Sequence, residues 1–132
     1  MITESQKNLI KADFFEWIKG IQEDDPLPYE IQNIYFILDL KNNDLQLSYS
    51  ADDRALKVFD YGAYFPLEAQ YFYSNTMKKL LLNSSENHLN LIKKELLEFL
   101  KNICLNSKAH FPFFQDKHIF FGLRFKQIKQ TS

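Results

Sequence analysis

The chain has 132 residues, 45% of them apolar and 25% charged. That length and balance fit one globular domain, residues 1–132, that buries a core without disulfides or metal. The single cysteine, Cys104, excludes an intrachain disulfide and favours a reducing compartment, and the net charge of −1 gives no overall pull toward nucleic acid or membrane.

The first residues, Met1 to Gln6, lack the basic stretch and apolar run of a secretory signal. No run approaches the roughly 18 apolar residues of a membrane span. The sequence therefore reads as cytoplasmic, with no membrane partner.

In chain order, Ile10, Phe14, Trp17, Ile18 and Ile21 recur at helical spacing and predict an amphipathic helix over about residues 4–23. Lys11, Glu16 and Lys19 fall away from that stripe. Asp24 through Pro28 ends the helix, because proline removes a donor and biases the preceding residue out of helix. Ile34 through Leu40 is the clearest strand, with Ile34, Phe36, Leu38 and Leu40 on one face and Tyr35, Ile37 and Asp39 on the other. Lys41 to Asp44 is turn chemistry. Leu45, Leu47 and Tyr49 alternate with Gln46, Ser48 and Ser50, as in the returning strand of a hairpin whose polar side faces solvent or a partner.

A third strand is expected near residues 55–61, broken by Gly62. Residues 63–82 resist assignment, because Tyr71-Phe72-Tyr73 fits a helix face poorly. Ser84-Ser85-Glu86 supplies a cap for a second long helix, about 86–105, with Leu89, Ile92, Leu96, Phe99, Leu100 and Ile103 as its stripe. Asn106 to Lys117 is an irregular link. His118 to Lys126 is a last strand, with Ile119, Phe121, Leu123 and Phe125 on one face. The expected class is α+β, with a mostly antiparallel sheet of three to five strands and two long amphipathic helices packed on one face. Trp17, Phe36, Leu38, Leu96, Phe99, Leu100, Phe121 and Leu123 are the expected core.

Motifs that carry chemistry are sparse. Gly20, Gly62 and Gly122 are too scattered for a phosphate loop. His88, His110 and His118 lack the short ligand spacing of a zinc site. Cys104 lies on the flank of the second helix stripe with no evident base, the setting of a packed thiol rather than a nucleophile. Asp24/Asp25, Asp52/Asp53 and Asp60/Glu68 read as solvated turn acids, since acid–base catalysis needs two carboxylates in unlike environments within one cleft. No metal and no cofactor is expected. Phe121-Gly122-Leu123-Arg124-Phe125 is similar to an RNA-recognition strand, but Leu123 and Arg124 depart from that pattern and both phenylalanines read as core.

Charge is the strongest signal. From Gln22 to Gln70, ten Asp/Glu face three Lys/Arg, a balance of −7; from Tyr71 onward, four face ten, a balance of +6. Five tyrosines (Tyr29, Tyr35, Tyr49, Tyr61 and Tyr64) lie inside the acidic block, and tyrosine is an amphipathic residue enriched at interfaces. The intramolecular explanation pairs the acidic hairpin with the basic helix and strand, at little energy per pair. The intermolecular one presents Tyr35, Asp39, Asp44, Tyr49, Asp52, Asp53, Asp60 and Tyr61 to a basic protein partner.

Trp17-Ile18 ending a first helix, Leu27-Pro28 before a strand beginning at Ile31, an acidic aromatic middle, and Ile119 through Gly122-Leu123 in a final strand together give a chain that resembles small bacterial immunity-type proteins of polymorphic-toxin and contact-dependent inhibition systems. The resemblance implies a non-catalytic protein that binds and blocks a cognate toxin domain. Two alternatives belong to other classes. One is a small enzyme or ligand-binding domain with a cleft around His110, His118 and Asp116. The other is a nucleic-acid binder using the basic C-terminal block, for which an exposed Phe120 beside a basic stripe would be the mark.

Overall fold

A computed structural model describes residues 2–24, 32–39, 44–50, 63–64 and 71–123. Helix α1 (Glu4–Asp24) is followed by strands β1 (Asn33–Asp39), β2 (Asp44–Ser50), β3 (Ala63–Tyr64) and β4 (Tyr71–Phe72), helices α2 (Asn75–Asn83) and α3 (Glu86–Asn106), two short 3₁₀ turns, and strand β5 (His118–Leu123). The expected third strand at 55–61, and residues 124–126 of the last one, lie outside the described residues.

The mixed α+β class holds. The expected sheet needs correction. β1 and β2 form the antiparallel hairpin, with Phe36 opposite Leu47 and Asp39 opposite Asp44. On its other side, however, β1 pairs with β5 in parallel, Ile34 opposite Ile119 and Phe36 opposite Phe121. The remaining strands, β3 and β4, are two-residue pieces antiparallel to β2. The physical reason is connectivity: the chain passes through α2 and α3 between β1 and β5, and a parallel neighbour needs such a long crossover.

The core follows from the apolar stripes. Ile10, Phe14, Trp17, Ile18 and Ile21 of α1 and Ile92, Leu96, Leu100 and Ile103 of α3 pack in one cluster with Ile34, Phe36 and Leu38 of β1 and Ile119 and Phe121 of β5. Those strand residues share one parity, so both helices cover the same face of the sheet. Phe36 sits at the centre, with its ring centroid 5.8 Å from that of Phe14 and 6.2 Å from that of Phe114. Of the expected core residues, Phe99 is half-buried rather than buried: it packs at the cluster's margin, with Lys7 Nζ 6.0 Å from its ring. The side chain of Leu123 lies outside the described set.

Residues 71–83 show why no single helix fits that stretch. Tyr71, Phe72, Tyr73 and Ser74 alternate exposed, buried, exposed, buried, which is a strand period. Phe72 enters the α1 cluster, 5.9 Å from Phe14 and 5.3 Å from Trp17 between ring centroids. Ser74 then caps α2: its Oγ accepts from Met77 N at 3.2 Å and donates to Asp13 Oδ2 at 2.8 Å. The helix turns into α3 through Ser84, whose hydroxyl donates to Leu80 O. Among the described residues no helix is long and apolar enough to cross a membrane.

Candidate protein-binding surface

The face of the sheet turned away from the helices carries Asn33, Tyr35, Ile37 and Asp39 from β1 and His118, Phe120 and Gly122 from β5. The hairpin's register brings Asp44 level with Asp39 and Ser48 level with Tyr35. Sequence reasoning expected this side to be open, with Tyr35 as an anchor and Asp39 as a surface charge. Both are buried, Tyr35 at 0% and Asp39 at 4% exposure. Tyr35 stacks on Phe120 with ring centroids 5.0 Å apart and planes at 17°. Every residue of β1 is buried, so this strand is covered on both faces. Neither Tyr35 nor Asp39 is available as a docking residue in this fold.

The other expected contact residues divide in two. Asp44 and Tyr49 are placed by backbone register, Tyr49 between Ile34 and Tyr64. Asp52, Asp53, Asp60 and Tyr61 lie outside the described residues. On the same face, the outer edge beyond β2 presents a pair that sequence reading did not select. Tyr71 stands opposite Gln46 in the register, and Tyr71 and Tyr73 are 41% and 67% exposed. The strand alternation through Phe72 was the signal that could have found them.

His110 is exposed with its ring on Phe15, 5.1 Å between centroids. His118, also exposed, opens β5, its backbone N–H donating to Gln32 O at 2.8 Å. His88 is exposed and hydrogen-bonds through Nδ1 to Ser85 Oγ at the start of α3, 2.8 Å away. Neither His110 nor His118 lines the open grooves between the helices, which are bounded by Gln6, Lys79 and His88 on one side and by Lys7, Glu95 and Phe99 on the other. Among the described residues no three His, Cys, Asp or Glu side chains gather as metal ligands. Cys104 is fully buried, and burial pushes its thiol well above the ordinary value, so it stays protonated at neutral pH. Phe120 and Phe121 are both buried, at 3% and 5% exposure, so neither ring can take a stacked base. Arg124, Lys126 and Lys129 of the basic block lie outside the described residues.

No protein-family model, curated protein or solved structure matches the chain.

Proposed function

We propose that the protein is a non-catalytic, cytoplasmic protein-binding module, an immunity protein that neutralises a basic toxin domain acting on nucleic acid. The observation that carries this reading is the polarisation of the chain, −7 over residues 22–70 against +6 from residue 71 onward, with tyrosines interleaved in the acidic part. A nuclease-type toxin needs a cationic groove for phosphate. Carboxylates presented to that groove compete with the phosphates, and tyrosines supply rigid, amphipathic contact area. The buried Phe120 and Phe121 give the nucleic-acid alternative less support, and among the described residues neither His110 nor His118 lines the two open grooves between the helices.

The test is coexpression with the product of a toxin-like gene flanking this one. The expected result is restored growth and copurification of the two chains as a complex stable in low salt. Continued toxicity with no complex, or a flanking region made only of metabolic genes, would return the domain to the unassigned class.

A further inference from the structure

We propose that the groove between α1, α2 and α3 is a second docking surface, one that takes an acidic amphipathic helix of a protein partner. It uses no residue of the acidic block, so it stands apart from the toxin-binding reading. Helical spacing aligns Gln6 with Leu9 on α1 and His88 with Ile92 on α3, and with Lys79 and Leu80 of α2 they line about 1310 Å³ of open space. The floor is apolar. Ile92 is buried, Leu80 is half-buried, and Leu9 is left 54% exposed. An open trough of this kind does not enclose most of a small molecule, as a ligand pocket does. It can receive the apolar face of a helix, whose side chains at i, i+3 and i+4 cover such a floor.

Charge sets the chemistry of the occupant. Among the described residues, the titratable side chains that line the groove are Lys79 and His88, and no carboxylate lines it. Lys79 is exposed and makes no ion pair among the described residues, so no carboxylate there neutralises it. Glu4 of α1 is turned to Lys7 at 3.9 Å, and Glu86, at the start of α3, does not line the groove. His88 is held by Ser85, with its Nδ1 2.8 Å from the serine Oγ. When the serine donates, Nε2 carries the ring's proton and can donate to a carboxylate. Carboxylates flanking an apolar stripe therefore match a groove whose floor is apolar and whose α2 and α3 walls carry a cation and a donor, whereas a basic segment would meet Lys79 as a like charge.

The experiment titrates isotope-labelled full-length protein with a synthetic Leu/Glu-rich helical peptide and follows backbone amide shifts. A counterpart peptide with Gln at every Glu position, and the variants Lys79→Glu, Leu9→Gln and Lys19→Glu, are compared. Lys19 is exposed on α1 and does not line the groove, so it reports the general effect of a charge reversal. The expected shifts centre on residues 6–9, 79–83 and 88–92. Lys79→Glu and the Gln peptide should each weaken binding about tenfold, Leu9→Gln about fivefold, and Lys19→Glu less than about twofold, with unfolding midpoints little changed. No binding of the acidic peptide at low salt, or equal losses from Lys79→Glu and Lys19→Glu, would overturn the proposal. Equal binding of the Gln peptide would overturn its acidic chemistry. Tighter binding of inorganic phosphate or of phosphatidylglycerol vesicles, or concentration-dependent shifts at these residues without peptide, would identify an anion, a membrane or a second copy as the occupant and overturn it as well. The toxin-binding reading stands or falls separately, on complex formation with the flanking gene product.

Discussion

Ser74 is the joint on which the β4–α2 corner turns, and Ser74→Ala tests that corner most sharply. The serine hydroxyl serves two partners. It accepts from Met77 N at 3.2 Å, a helix N-cap whose loss typically costs about 1 kcal/mol. It also donates to Asp13 Oδ2 at 2.8 Å, tying α2 to α1. A hydrogen bond to a charged acceptor contributes about 1.5–3 kcal/mol when well buried. Asp13 is half-buried, so water replaces part of the bond, and about 1 kcal/mol is the appropriate share. The sum is about 2 kcal/mol, which at a urea slope of about 2 kcal/mol per molar lowers the unfolding midpoint by about 1 M. Equilibrium unfolding of Ser74→Ala, Asp13→Ala and the double variant separates the two contributions. The cycle should return a coupling of about 1 kcal/mol, within the range seen for residues in direct contact. A single-variant shift below about a quarter of the predicted one, or a coupling indistinguishable from zero, would show that the corner is not held by this serine.

Other predictions follow from burial. Phe36→Ala, at the centre of the aromatic cluster, should cost about 3–5 kcal/mol, whereas the half-buried Phe99→Ala should cost only about 1–2 kcal/mol in the same urea assay. Tyr35→Ala should destabilise by about 3–5 kcal/mol through lost burial and the cavity left beside Phe120, so its effect on any complex tracks the folded fraction rather than a dissociation rate. Cys104 should react with a maleimide only on opening of the fold. Burial, which also raises the thiol's pKa, should make native-state labelling at pH 7 far slower than that of the urea-unfolded chain, and rapid stoichiometric reaction of the native protein at pH 7 would contradict its burial. Asp52→Asn/Asp53→Asn should slow association with the partner and flatten its salt dependence, with little change in dissociation.

The two long helices were legible because their stripes are long and their period is unambiguous. Ile10 to Ile21 and Ile92 to Ile103 each repeat over several turns, and both define buried faces. The hairpin was legible for the same reason at period two. The side of β1 carrying Tyr35 and Asp39 was misread, because Asp39 and the Gln and Ser positions of β2 suggested a solvated face. Burial of that side depends on tertiary neighbours that local pattern does not contain. The unbroken apolar run Ile34 to Leu38 was the better clue, since strands with a parallel neighbour are commonly buried on both faces. Tyr71 and Tyr73 escaped notice because a two-residue strand offers too short a pattern to establish a period, and because Ser74, a cap, looked like one more polar residue in an unassigned stretch. The charge polarity was read from composition alone, and its functional meaning was never a matter of secondary structure.

The central claim is that an acidic surface docks a basic protein. The most direct measurement is the association rate of the full chain with the flanking toxin-like gene product, followed by stopped-flow across a range of salt concentrations. Complementary charge predicts a rate that is high at low salt, falls steeply as ionic strength rises, and is changed far more than the dissociation rate. An association rate indifferent to salt, or one that rises with it, would contradict the account.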